Sequence, residues 1–203
     1  FTTVGVMCLP GLFIKEFRNW MHHHFWIVYV ALVFYFVLYL TLACCGKVRK
    51  TCPINIIVLS LFTISTGVLL MFITSTYAVE SVLMCLAITV GCSFVIIIVA
   101  ATCPFDITGC GLLVMMLSLV MLVFGIVTMV AIMVFNIPWL YTIYAGVGAL
   151  VMMFYLAFDV QMIMGGRKNE ISPDEYIFAA LELFIDIINL FLMILGVAGS
   201  RGE

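Results

Sequence analysis

Charged side chains are scarce in this sequence. Lys, Arg, Asp and Glu make up 9% of its 203 residues, whereas a soluble domain carries about 25%. Hydrophobic residues make up 67% of the chain, and the mean hydropathy is +1.36. The shortage of charge excludes an ordinary soluble domain and predicts an integral membrane protein in contact with the lipid bilayer.

Other missing features exclude further classes of protein. The net charge is −2, and no basic stripe alternates with aromatic residues, so no nucleic-acid partner is expected. The eight cysteines lack the short paired spacings and histidine partners of a zinc site. No nucleophile, base and orienting group can be assembled from the sequence. We therefore expect neither an enzyme nor a resident metal or cofactor.

The cysteines lie within or next to apolar runs. Burial as small hydrophobic residues is the simplest interpretation, because free thiols are among the most buried side chains. Cys44 and Cys45 lie at the end of an apolar run and next to a basic loop. Palmitoylation is the alternative at these two positions.

Long apolar runs recur along the chain, and a helix that crosses a bilayer needs about 20 such residues. Six runs are long enough, and a shorter first run is predicted to be the end of a truncated first helix. The sequence therefore predicts an all-α, seven-helix membrane bundle that forms one domain over residues 1–203. The predicted spans are 1–14 (partial), 25–45, 54–75, 82–102, 112–135, 139–164 and 177–198.

The polar segment from Lys15 to His24 contains three consecutive histidines. Successive residues of a helix point in different directions, whereas a metal site needs convergent ligands. We therefore predict an interfacial loop here.

Basic residues predict the orientation. The loops after the second and sixth spans share a side in a seven-span chain, and together they hold more Lys and Arg than the opposite side. The positive-inside rule then places these two loops in the cytosol. The first group is Lys47, Arg49, Lys50, Arg167 and Lys168, and the opposite group is Lys15, Arg18 and Arg201.

The last span has a clear start. Ser172, Pro173 and Glu175 form a capping box with proline in the first turn, which predicts a helix from Ser172 to Ala198. This helix contains polar residues that lipid would disfavour, and we predict that it is the central helix of the bundle.

Glu182, Asp186 and Asn189 are spaced by four and three residues and so share one face of that helix. A carboxylate at the middle of a bilayer costs at least ~2.5 to 3.5 kcal/mol on insertion scales. Such residues therefore face a bundle interior or a wet cavity. Glu182 lies one turn nearer the cytosol, where it faces a vestibule or reaches the interface.

Asp159 in the sixth span is the second candidate acid. At ~1.5 Å per residue, it lies about 7 to 8 Å inside the cytosolic edge, and Asp186 lies ~14 Å inside. Helix tilt would bring them together, and two carboxylates in a poorly solvated site cannot both ionise freely. The pair is a candidate pH sensor, and with Gln161 and Asn189 it could hold calcium in passing. The alternative is a polar pair that joins two helices.

Arg49, with its neighbours Lys47 and Lys50, lies at the cytosolic end of the second span. These residues are candidates for a latch that pairs with an acid when the pathway is closed. The alternative is that they only set the orientation of the chain.

Several segments resemble the Bax-inhibitor motif proteins, specifically their lifeguard branch. The most specific segments are Leu156–Gly166, Ile171–Ala180 and Ile185–Phe191, and the likeness continues upstream through Leu42–Gly46, Pro53–Asn55 and Phe105-Asp106 with Thr108. The sequence departs from the family pattern at Val160, where threonine is usual, and at Glu182, where asparagine is usual.

The resemblance implies a seven-helix bundle with a central last helix. It also implies a calcium leak from stores that restrains apoptosis, in the Golgi, endoplasmic reticulum, related endomembranes or plasma membrane. Family members use an acid pair as a pH-sensitive gate, which matches Asp159 and Asp186. A bacterial relative pairs these acids with an arginine, for which Arg49 is the nearest match.

Two functions are therefore expected from the sequence. The first is a calcium leak channel gated by the aspartate pair, in which calcium is the transported ion rather than a cofactor. The alternative is a non-conducting membrane protein that modulates other calcium channels or death-receptor and Bcl-2-type partners.

Overall fold

The computed structural model of this chain describes residues 1–200, and for Lys15, Asn19 and His22 it describes the backbone alone. Arg201, one of the orientation residues, lies outside the described residues. Throughout this range the regular structure is helical, which confirms the all-α prediction. The α-helices are α1 (Thr2–Phe13), α2 (Lys15–His23), α3 (Phe25–Cys44), α4 (Gly46–Lys50), α5 (Ile54–Ser75), α6 (Val79–Thr102), α7 (Gly111–Phe135), α8 (Trp139–Met164) and α9 (Tyr176–Ala198), with 3-10 turns at Thr108–Cys110 and Pro173–Glu175.

Six of the described helices, α3 and α5 to α9, are long and apolar enough to cross a membrane, and α1 is a shorter apolar helix. The chain is thus an integral, multi-pass membrane protein. Most boundaries agree with the prediction to within one residue, and two differ by more. Helix α6 begins at Val79, because no proline or glycine stops it before Val82 and Glu80 suits a helix N-terminus. The last α-helix begins at Tyr176, after a 3-10 turn rather than directly at Ser172.

The predicted loop between Lys15 and His24 is wrong, because most of this segment forms α2. Phe17, Trp20 and Met21 recur at helical spacing, and Met21 is buried. The Trp20 ring stacks on His24 at a centroid distance of 4.5 Å. A short amphipathic helix with polar and apolar faces is typical of a membrane surface.

The chain divides into two compact units. The first contains Phe1–Val82, Pro173–Leu181 and Ser200, and the second contains Leu83–Ser172 and Glu182–Gly199. The prediction of one domain and of a central last helix stays a prediction.

In the first unit, α1 and α3 both pack against α5. The side chain of Met7 lies directly over Gly67, where an added Cβ would approach the sulfur to 2.7 Å. On the other side of α5, the rings of Tyr35 and Phe62 stack at 5.1 Å between centroids. The glycine therefore allows the short helix to approach α5 closely, as small residues do in lipid.

In the second unit, α7 packs on α8, and α9 contacts both α8 and α6. A Cβ on Gly196 would lie 2.9 Å from the Ala145 Cβ. The Cys85 thiol lies 3.9 Å from the Ile194 carbonyl, to which it donates a weak hydrogen bond. These contacts fix α9 against its neighbours and thereby position Asp186.

The Gly196 contact gives a first prediction. Gly196→Ala should destabilise the protein by ~1 to 3 kcal/mol, because neither the Ala145 methyl group nor the nearby Tyr141 ring can move away freely. Gly91→Ala is the matched control, since nothing lies within 4 Å of its added Cβ. Thermal unfolding in detergent compares the two. Equal midpoints for both variants would contradict the close packing of α8 and α9.

Candidate functional site

Asp159 on α8 and Asp186 on α9 are brought together in the second unit. Their side-chain carboxyl groups lie close enough to interact with each other. Asp159 is 8% exposed and Asp186 is 5% exposed. Both carboxyl groups are therefore almost completely removed from the surface of the chain.

A hydrogen bond between two carboxyl groups requires a proton. An ionised carboxylate only accepts hydrogen bonds, so a hydrogen bond within the pair would need one member to be protonated. Two charged carboxylates in contact would also repel each other strongly in a poorly solvated site. The proximity of Asp159 and Asp186 therefore fits a pair that holds one shared proton.

One oxygen of the pair is not satisfied. Asp186 Oδ2 is buried and has no hydrogen-bond partner among the described residues. An unpaired buried acceptor is costly, and it usually indicates a water molecule, an ion or a functional role. Glu182, one turn earlier on α9, lies close enough to interact electrostatically with Asp186. Two acidic side chains, Glu182 and Asp186, therefore lie on this face of α9.

The surroundings of the pair are apolar. Leu156 and Val160, on either side of Asp159 in α8, form a buried cluster with Ala100 of α6, and Leu183 and Ile187 of α9 pack against it. A low-dielectric environment strengthens the interaction between the two carboxyl groups and with any cation that reaches them. The half-buried Asn189 lies on the α9 face of Asp186.

Gln161 makes hydrogen bonds to the end of α6 and to the loop that follows it. Its side chain is 1% exposed, and its Oε1 accepts a hydrogen bond from the Ile107 backbone N–H at 2.9 Å. Its Nε2 donates to the carbonyls of Phe105 at 3.0 Å and Ala100 at 3.2 Å. The amide thus attaches α8 to the end of α6 and its following loop, so any effect on the aspartate pair would be indirect.

A second set of contacts joins the loop after α6 to the loop after α8, and sequence reasoning missed it. Asp106 accepts hydrogen bonds from the Thr108 hydroxyl at 2.7 Å and from the Lys168 backbone N–H at 3.0 Å. Asn169 donates to the Thr108 carbonyl at 2.7 Å, and Arg167 donates to the Cys103 carbonyl at 2.6 Å. The turn residues around Asp106 and the paired glycines after Met164 were the available signals. These bonds fix the ends of α6 and α8.

The loop contact gives a second prediction. The pKa of Asp106 is lowered from its ordinary value of 3.8. The cause is a set of hydrogen bonds to its carboxylate from the Thr108 hydroxyl and from the backbone N–H groups of Lys168 and Thr108, together with the nearby Arg167 charge. A carboxyl group whose pKa is lowered in the folded state stabilises the fold at a pH above its ordinary pKa. This stabilisation is lost as the pH falls through the pKa of the folded state. Thermal unfolding should therefore show that Asp106→Asn lowers the midpoint at pH 7. The difference in midpoint between the variant and the unchanged protein should shrink below pH 3.8. A difference that stays the same there would contradict the role of the Asp106 charge.

Arg49 contacts the start of α9. Its Nη2 lies 3.3 Å from Glu175 Oε1, and the Lys50 ammonium lies 3.6 Å from the same oxygen. The guanidinium stands over the Phe178 ring, 4.6 Å from the centroid. Lys47 is exposed. The candidate latch residues are thus divided: two of them pair with an acid at the entrance of α9, and the third faces outward.

Asn55 completes this contact, and it is not among the predicted site residues. It is 1% exposed, and its Nδ2 donates to the Arg49 carbonyl at 3.0 Å and to the Tyr176 hydroxyl at 3.1 Å. An asparagine near the start of an apolar run was the signal, because an amide that becomes buried there is normally hydrogen-bonded. The entrance of α9 is therefore fixed by an ion pair and a buried amide together.

A family model described as "Inhibitor of apoptosis-promoting Bax1" matches residues 1–203. The chain is 35% identical over 199 residues to "Protein lifeguard 3" of Mus musculus and, equally, of Homo sapiens. It is 28% identical over 193 residues to "Bax inhibitor 1" of Schizosaccharomyces pombe.

These similarities differ in how much of each protein they cover. They include 98% of this chain for both lifeguard 3 proteins and 90% for the yeast protein. The chain spans 64% of the length of each lifeguard 3 protein and 65% of the length of the yeast protein.

Proposed function

The chain belongs to the Bax inhibitor and lifeguard family, and from this premise we propose that it is a calcium leak channel of intracellular membranes. Protonation of the Asp159 and Asp186 pair gates the channel. The leak lowers store calcium and so restrains apoptosis, in keeping with the family description. The membranes we propose are those of the Golgi, endoplasmic reticulum and related compartments.

The observation that supports this proposal most strongly is the buried pair of carboxyl groups on two membrane-spanning helices. Acids inside spans are costly and normally belong to ion or proton routes. A shared proton neutralises one carboxyl group, whereas its loss leaves two charges that attract a hard cation. The unpaired Asp186 Oδ2 supplies an oxygen ligand that the fold does not use.

The Arg49 contact supports a latch as part of the same proposal. Glu175, which precedes α9, pairs with Arg49 and Lys50, and α9 carries Asp186 further along the same helix. Release of this ion pair would free the entrance of the helix that bears the gate. Removing one partner of a partly buried ion pair is destabilising, because it leaves the other charge buried without compensation.

Purified protein in liposomes tests the function. Calcium is trapped inside with a fluorescent indicator outside, and its release is recorded across a pH series against empty liposomes. The proposal predicts release that depends on the protein and changes with pH. Release at the rate of empty liposomes throughout the series would overturn the channel. It would favour the alternative of a non-conducting protein that modulates calcium channels or apoptosis regulators.

A further inference from the structure

Three cysteines surround the short basic helix between the first two long spans. Cys44 ends α3, Cys45 follows it directly, and Cys52 lies between α4 and α5. All three are exposed. Helix α3 has 20 residues and so measures ~30 Å at ~1.5 Å per residue, which matches the hydrocarbon thickness of a bilayer. The thiols of Cys44 and Cys45 therefore lie at the membrane boundary.

Three cysteines in the interior of helices are in a different environment. Cys85 is completely buried in α6 and donates to the Ile194 carbonyl, and Cys8 and Cys92 are half-buried. Such thiols act as small hydrophobic side chains. Burial explains them, but it does not explain the exposed group at Cys44, Cys45 and Cys52.

The charge of α4 adds a second and independent observation. This helix carries Lys47, Arg49 and Lys50 and no acid, and Lys47 and Lys50 are exposed. Basic residues directly beside a span attract the anionic headgroups of the cytosolic leaflet. They hold the neighbouring thiols at the surface where long-chain acyl groups are available. Cysteines that lie beside a span are typical sites of S-acylation.

We propose that Cys44, Cys45 and Cys52 are an S-acylation site for a long-chain fatty acyl group. The cysteine sulfur, as thiolate, attacks the thioester carbonyl of a long-chain acyl-coenzyme A. A new sulfur–carbon bond forms, the bond to the coenzyme A sulfur breaks, and coenzyme A leaves as a thiol with the proton that the cysteine lost. No oxidant or reductant is needed. The acylation itself does not require the proposed channel activity.

The acyl chain has a defined structural consequence. It would insert into the leaflet beside α3 and anchor α4 to the membrane. Helix α4 also holds the Glu175 end of α9 through Arg49 and Lys50. Acylation would thus reinforce the attachment of α4 on its lipid side, next to the ion pair that fixes the start of α9.

Acyl capture from cells that express the full chain tests the site. Membranes are blocked with a thiol reagent, thioesters are cleaved with hydroxylamine, and the released thiols are captured. The unchanged chain should be captured only after hydroxylamine treatment. A variant with Cys44→Ser, Cys45→Ser and Cys52→Ser together should lose at least about nine-tenths of this signal, as expected when all acceptor thiols of a cluster are removed.

Cys110→Ser is the matched control, because Cys110 is exposed but stands alone at the start of α7. This variant should keep the full signal. Helical circular dichroism in detergent checks that the triple variant is folded. The proposal would be overturned if the unchanged chain gave no hydroxylamine-dependent capture, or if the folded triple variant kept its signal.

Discussion

Asp186→Asn is expected to flatten the pH dependence of calcium release from liposomes. Asparagine preserves the size of the side chain and can still donate a hydrogen bond to Asp159. It cannot release a proton, so the pair can no longer change from one charge to two. Release should vary by less than about twofold between roughly pH 6 and pH 8, whereas the unchanged protein should vary by about tenfold or more, as expected for a protonation-controlled step.

Asp174→Asn is a suitable control for this experiment. Asp174 lies just before α9 and is exposed, so its replacement removes a charge of the same sign without touching the buried pair. The control should keep the pH dependence of the unchanged protein. If Asp186→Asn also kept it, the aspartate pair would not be the gate, even if the protein conducts calcium.

Gln161→Leu is expected to destabilise the protein by ~2 to 5 kcal/mol, because it leaves buried polar groups without partners. The Ile107 N–H and the carbonyls of Phe105 and Ala100 all lose their bond to the amide. Leucine has a similar size, so loss of volume contributes little. Thermal unfolding in detergent should show a large fall in the midpoint.

Thr102→Val provides the comparison for this loss. The Thr102 hydroxyl is exposed and donates to the Ile98 carbonyl within its own helix, so removing it leaves no new buried group without a partner. Its midpoint should stay near that of the unchanged protein. An equally small change for Gln161→Leu would show that the amide does not hold the loop after α6.

The membrane-spanning helices were predictable because each depends on a local property of the sequence. An apolar run of about 20 residues can satisfy its backbone in lipid only as a helix. Helical spacing likewise placed Asp186 and Glu182 on one face of α9. The predicted loop from Lys15 to His24 is wrong because the few apolar residues of this segment, Phe17, Trp20 and Met21, recur at helical spacing.

Contacts between distant parts of the chain could not be predicted in the same way. Arg49 and Glu175 are 126 residues apart in sequence, and Asn169 and Thr108 are 61 apart. No local pattern specifies which charge or amide a side chain will meet at such a separation. Gln161 is an example, since its position near Asp159 suggested a ligand, whereas its hydrogen bonds are made to the end of α6 and to the loop that follows it.

The most direct test of the central claim is to observe the proton of the aspartate pair itself. Infrared difference spectroscopy of the purified protein detects a protonated carboxyl group by its C=O stretching band, and the band can be followed across the pH series used for calcium release. The account predicts a carboxylic acid band that titrates together with the release and disappears when Asp159→Asn and Asp186→Asn are combined. A titrating band that persists unchanged in the double variant, or no such band in the unchanged protein, would contradict it.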